Sequence, residues 1–266
     1  PPHLTQSNGG VISAGVAAAH PVRTVLSGPA AGVMGALAIA REAGIGDIIT
    51  FDMGGTSTDV ALVDSVPRRR STTEVGGIPI RTPSLEIHTV GAGGGSIAYV
   101  DAGGALHVGP RSAGARPGPA CYCRGTEPTV TDANVVLGRL RPEAFLGGAM
   151  TLDPRRSQAA LRVLAKRMRA PSVTAAAEGV IRVVQNSMER AIRVITVERG
   201  QDPRTCVLLP FGGAAGLHAC GLADELGIRK ILVPPDPGLL SAWGMLDAPL
   251  VRDVTRPLRI VDPTFG

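Results

Sequence analysis

Asp52 and Asp59 bracket a short run, M-G-G-T-S-T, between apolar segments at 47–51 and 60–63. Both segments have strand length and β-branched residues, and a Gly-Gly pair between strands suits a tight hairpin turn. Glycines there permit positive φ and let backbone N–H groups approach a ligand closely. Successive N–H groups in such a turn form a nest for an anion. Thr56, Ser57 and Thr58 add hydroxyls. Two carboxylates would repel a bare phosphate. They fit a divalent cation lying between them and the phosphate, with water retained around the ion as magnesium prefers. The spacing therefore points to the handling of a magnesium nucleotide. The alternative is an ordinary hairpin with a polar tip.

Two further glycine constellations carry possible chemistry. An apolar strand at 205–209 runs into P-F-G-G at 210–213, and a helix is expected to begin at Ala214 or Ala215. Strand, Gly-Gly and helix N-terminus together make a phosphate or nucleotide platform. Gly213 is expected at an unusual φ, and His218, one turn into the helix, either reaches the site or packs. The segment 91–96 holds four glycines in six residues and ends in Ser96. It is either a flexible connector or a backbone wall, Gly93, Gly94, Gly95 and Ser96, beside substrate or the terminal phosphate.

D-M-G-G-T-S-T-D-V at 52–60 resembles the phosphate hairpin of the actin, sugar-kinase and heat-shock-chaperone superfamily. More narrowly, the chain resembles the hydantoinase A and 5-oxoprolinase family, which also includes acetone carboxylase subunits. S-G-P-A-A-G at 27–32, V-G-A-G-G-G-S-I at 90–97, P-G-P-A-C-Y at 117–122, P-T-V-T-D-A at 128–133 and P-F-G-G-A-A-G-L-H-A at 210–219 carry that resemblance, in the family's order. One departure is Cys123, where the family more often has glycine.

The resemblance implies an α/β fold of the actin-like, ribonuclease-H-like ATPase kind: a mixed sheet, flanking helices and a helical subdomain. It implies ATP and Mg²⁺ as cofactors, with Asp52 and Asp59 as the catalytic carboxylates. Asp52 would hold magnesium-bound water, while Asp59 would brace the cation or the hairpin. Gly54, Gly55, Thr56 and Thr58 would lie on phosphate. Gly212, Gly213, Ala214, Gly216 and His218 would lie toward the nucleoside. The implied reaction is phosphorylation of a small cyclic amide, a hydantoin or 5-oxoproline, before ring opening with a B-type subunit or region. A ketone carboxylase subunit shares every motif named here, and a regulatory ATPase is the other alternative. Family members carry a further phosphate hairpin near their start, whereas this sequence has one copy. The expectation is a fragment, 1–255, with an N-terminal lobe absent, a helical insertion at about 131–200 and a linker at 256–266. Such a fragment is expected to be inactive alone.

Bulk composition narrows the alternatives. The 266 residues are 44% hydrophobic but only 3% aromatic, so the core must be built from small and aliphatic side chains. The formal charge is +5 and the isoelectric point about 9.5. Arg68, Arg69 and Arg70 read as a solvated turn, and so few aromatics leave little to stack on nucleic-acid bases. No apolar run approaches the ~20 residues needed to span a bilayer, and no signal peptide is visible. Four cysteines without zinc spacing read as thiols in a reducing cytoplasm. The expected setting is a cytoplasmic, oligomeric enzyme without membrane or nucleic-acid partners.

The elements that must position these residues follow from periodicity. The first stretch, 1–19, reads as a link with a turn at 8–10, and 21–26 as a short strand. A helix over about 29–42 is capped by Ser27 or Gly28 and stopped by Gly44. A strand at 84–90 and a hairpin of 97–100 with 105–108 follow. The Gly- and Pro-rich run 109–128 is a long loop. A helix at 131–137 is capped by Thr131 or Asp132, and another starts at Asp153-Pro154. The longest helix, 173–199, carries an apolar stripe at helical spacing. A strand at 230–233 and a short helix at 239–246 with Trp243 complete the reading.

Overall fold

The structure is a computed structural model and describes residues 2–75 and 77–253. The linker expected at 256–266 lies outside the described residues. A mixed sheet forms the centre, with strands in the order His88–Val90, Thr58–Asp64, Asp47–Met53 and Val207–Phe211. The first three run antiparallel, and Val207–Phe211 lies parallel to Asp47–Met53. This is the mixed α/β architecture that the motifs implied.

Strand alternation divides the sheet's side chains between two cores. Ile49, Phe51, Met53, Val60 and Leu62 face the long helix Val173–Ile195, joined by its Val180, Val184, Met188 and Ile192. Ile48, Ala61, Val63, Leu209 and Phe211 face the helix Ser27–Glu42. Burying each large aliphatic side chain is worth roughly 1.5–3 kcal/mol, which is how a core nearly free of aromatics holds. The small residues of the first helix do structural work. A Cβ on Gly35 would lie 2.7 Å from the Leu240 carbonyl, and one on Gly244 would run into that of Ala31. The helices Ser27–Glu42 and Leu240–Asp247 therefore cross with their backbones nearly touching.

Several local expectations change. The link at the start is a hairpin, His3–Thr5 with Val11–Ser13, followed by the helix Ala14–Ala19. Pro21–Thr24 is a 3-10 turn, not a strand, since Pro21 starts it and Thr24 Oγ1 bonds back to Pro21 O. Leu26, left-handed at φ 62°, occupies the cap position of the next helix and gives no side-chain cap. The strand expected over 84–90 is two short pieces, Ser84–Leu85 and His88–Val90. Arg69–Arg70 pairs with the first of them. The helix Val130–Val136 is capped by Thr129, with Asp132 returning the bond as a capping box. The long helix ends at Ile195, and Val197–Arg199 follows as a 3-10 turn. The strand expected over 230–233 is reduced to one bridge, Leu208 to Ile231.

Cys123 explains its own oddity. It sits at φ 68°, left-handed, where L side chains are strained and glycine is not. Its side chain is exposed. Cys123→Gly is expected to raise stability by about 1 kcal/mol despite glycine's entropy, read as a higher urea midpoint. An unchanged or lower midpoint would show that this turn carries no strain.

Candidate functional site

The hairpin strands Asp47–Met53 and Thr58–Asp64 reach further than expected, leaving only Gly54, Gly55, Thr56 and Ser57 as the turn. Asp52 and Asp59 are therefore strand residues, directly opposite each other across the ladder. Gly54 N donates to Ser57 O at 3.1 Å and closes the turn. Among the described residues, the N–H groups of Gly55 and Thr56 have no acceptor, and both residues are exposed. The tip thus offers donors outward, as an anion nest requires.

The glycine run 91–96 is docked on this turn. Gly94 N donates to Gly54 O at 3.0 Å and Gly95 N to Gly55 O at 2.6 Å. A Cβ on Gly93 would lie 2.6 Å from Thr56 N, so only glycine allows this approach. Thr131 closes the other side, with its N and Oγ1 both donating to Gly94 O at 2.8 Å. Gly93, Gly94 and Gly95 are buried, and Ser96 Oγ accepts from Gly93 N at 2.8 Å. The run is a rigid buttress rather than a flexible connector, and its Ser96 side chain is turned inward.

The third loop joins the same cluster. Phe211 pairs with Asp52 in the parallel register, and Ala214 N donates to Met53 O at 2.9 Å. Gly212, not Gly213, has the positive φ, +82°. A Cβ on Gly212 would meet the Asp52 carboxylate and lie 2.7 Å from Met53 O. Around Gly213 and Gly216 the Cβ positions open to space. The helix starts later than expected: Ala215–Leu217 is a 3-10 turn and the helix proper is Ala219–Leu226. His218 consequently occupies the cap position and is fully buried, with neither ring nitrogen hydrogen-bonded among the described residues. Burial, then Arg139, holds its pKa down at about 4, so it packs as a neutral ring.

Two side chains in the motif are also turned away from the tip. Thr58 is fully buried, and its Oγ1 donates to Ala92 O at 2.6 Å. It braces the hairpin against the glycine run and cannot offer its hydroxyl to phosphate. Asp59 accepts from Thr89 Oγ1 on the neighbouring strand, which favours the brace role.

Electrostatics single out Asp52. Its carboxylate accepts no hydrogen bond from the described residues, and burial, then the charge on Asp59, pushes its pKa up to about 7. Asp59 is also raised by burial, with Thr89 working against the shift. Two half-buried carboxylates on one sheet face disfavour joint ionisation. A cation beside them would restore it. Among the described residues, no cluster of three or more His, Cys, Asp or Glu could hold a metal alone. The donor set thus fits an ion whose remaining ligands are water and phosphate.

Asp132 is the residue whose importance the motif concealed. Fully buried, it accepts from the backbone N of Ala120, Cys121 and Thr129 at 3.0, 2.9 and 3.0 Å. It also accepts from Thr129 Oγ1 at 2.8 Å and Ser157 Oγ at 2.6 Å. The capping-box spacing at 129–132 was the signal for it. Beside it, burial and the Asp132 charge push the Cys121 thiol up, leaving it inert.

A family model described as Hydantoinase/oxoprolinase matches residues 2–254. The 5-oxoprolinase of Dictyostelium discoideum is 39% identical over 90% of this chain, which spans 21% of that protein. The crystal structure of ATP-dependent caprolactamase from Pseudomonas jessenii superposes with a TM-score of 0.81 at 43% identity, over 92% of this chain and 36% of that one. A nucleotide-free acetone carboxylase gives 0.84 at 33%, over 92% and 35%. The chain therefore spans well under half the length of these proteins. The match over nearly its whole length places the chain in the hydantoinase/oxoprolinase family.

Proposed function

We propose that these residues form one wall of a magnesium–ATP site in an enzyme that activates a small cyclic amide by phosphorylation. The observation that carries this is the docking of the 91–96 run and the 212–214 loop around the 54–57 turn, beside an Asp52 carboxylate that accepts no hydrogen bond among the described residues. Free N–H groups of Gly55 and Thr56 would hold phosphate oxygens, and the exposed Thr56 hydroxyl would join them. Asp52 would orient water on the cation, with Asp59 and Thr89 fixing its surroundings. Gly213, Ala214 and Gly216 would lie along the nucleoside. The chemistry ATP supplies when bound is transfer of a phosphoryl group to the amide oxygen, which makes the ring carbon electrophilic. Similarity to 5-oxoprolinase and ATP-dependent caprolactamase supports the cyclic-amide class.

Similarity to acetone carboxylase favours a second reading, in which a ketone oxygen receives the phosphoryl group. Both readings need groups from outside this chain: the rest of the nucleotide cleft and a B-type partner that completes the turnover. With only one wall, the phosphates stay hydrated, the aligned groups act in high dielectric and positioning is lost. The isolated chain is expected to bind Mg-ATP at about 1 mM or weaker without steady hydrolysis. Tight binding with turnover would show the wall to be a complete site. ATP turnover of the active assembly, compared with hydantoins, 5-oxoproline, lactams and ketones, separates the two substrate readings.

Two neighbouring glycines separate structural from ligand roles. Gly213→Val is expected to fold, because its Cβ points into open space, yet to weaken nucleotide binding about 10-fold or more. Gly212→Val is expected to disrupt the fold through both its φ and the Met53 carbonyl. Melting and nucleotide titration on the same samples make the comparison. Normal affinity in a folded Gly213→Val chain would take the loop out of the nucleotide site.

A further inference from the structure

The sheet's opposite face holds a second site. Across the ladder, Thr89 lies opposite Asp59 and Asp59 opposite Asp52, so these share a face. His88 lies opposite Val60, and Val60 opposite Phe51, on the face of the long helix. On that face a cavity of about 490 Å³ opens between the edge strand, the strand Leu106–Ser112 and the helix Val173–Ile195. None of the residues at the phosphate tip lines it.

Its lining has one chemical character. Val90, Val108, Val183 and Val194 supply aliphatic wall, and no Asp or Glu takes part. Arg190 is the one residue in the lining that is always charged. Among the described residues it has no carboxylate within 4.0 Å, since its neighbour Glu189 is held by Arg193 at 2.7 Å. His107 in the lining is hydrogen-bonded to Asp101 at 2.7 Å and stacks on Tyr99, ring centroids 5.3 Å apart. Burial, then Arg199 and Arg70, pushes the His88 pKa down, so its ring is neutral and can donate one N–H. An ammonium group would find no anion in the lining, which disfavours amines and zwitterions. A multiply charged anion would find only one free cation among the lining residues.

We propose that this cavity binds a short-chain aliphatic monocarboxylate, with its carboxylate on Arg190 and its chain against the four valines. The site stands apart from the nucleotide reading and does not depend on it. Its connection to the tip is short: Ala92 in the cavity wall is held by Thr58 and precedes the Gly93 that presses on Thr56.

The test is an amide-shift titration of the 266-residue chain with valerate, with pentanamide and pentylamine as neutral and cationic counterparts, at matched ionic strength. One ion pair and a short alkyl chain are expected to give a Kd on the order of 1 mM. Shifts should be confined to residues 88–92, 107–110 and 183–194. Pentanamide and the Arg190→Gln chain should each bind at least about 10-fold more weakly, with melting unchanged because Arg190 is exposed. Absence of saturable shifts by about 50 mM valerate would overturn the proposal. So would equal binding of pentanamide, a comparison that needs no variant, or undiminished binding by Arg190→Gln.

Discussion

Asp52→Asn is expected to lower ATP turnover of the active assembly by about 100-fold or more while the fold stands. The loss follows from the proposed role. An amide oxygen is a weaker partner for cation-held water, and the ion carries much of the stabilisation of phosphoryl charge. Survival of the fold follows from the geometry. The carboxylate accepts no hydrogen bond within the described residues, and its removal leaves no donor unmet.

Metal-free stability gives the same substitution a second readout. The Asp52 pKa is raised from 3.8 to about 7 in the folded chain. The folded state therefore binds more protons than the unfolded state between those values, so this residue's contribution to stability falls as pH rises from about 4 to about 7 and is flat above. Asp52→Asn removes that penalty. In EDTA, its melting temperature should match or exceed the unsubstituted chain's at pH 8, with the advantage shrinking toward pH 4. A less stable variant at pH 8, or near-normal turnover, would remove Asp52 from this role.

Asp132→Ala is expected to cost about 3–5 kcal/mol of stability. Three backbone N–H groups and two hydroxyls point at this one buried carboxylate. They belong to the 117–122 loop, the cap of Val130–Val136 and the helix Pro154–Met168, so the loss spreads across three elements. Asp132→Asn should recover little, because its NH₂ would face donors. Urea denaturation of both variants checks the expectation. A loss below about 1 kcal/mol would mean that water replaces the carboxylate at all five donors.

The motifs made the glycine turn, its partner loops and the mixed α/β class legible, because glycine pairs and apolar runs are local signals. Orientation was harder to read. The apolar runs stop at 51 and 60, short of the ladder's ends, and so leave Thr58 among the residues expected on phosphate. With the ladder extended to Met53 and Thr58, alternation alone sends Thr58 inward once Asp59 faces the site. His218, expected one turn into a helix and either reaching the site or packing, packs: a 3-10 turn delays the helix and makes it a buried cap residue. Asp132 was obscured because its donors at Ala120, Cys121 and Ser157 are distant in sequence and carry no local pattern. The valine-lined cavity could not be foreseen, since it exists only where three separate elements meet.

Three of the contacts that lock the loops together run from main chain to main chain: Gly94 to Gly54, Gly95 to Gly55 and Ala214 to Met53. Bonds of this kind have nothing in them that titrates, oxidises or changes rotamer. The shape of the tip is thereby insulated from the chemistry of its surroundings. Side chains elsewhere on the chain can be exchanged without recalibrating how these three loops meet. A lineage built on this core can diversify its surface while inheriting one unaltered frame.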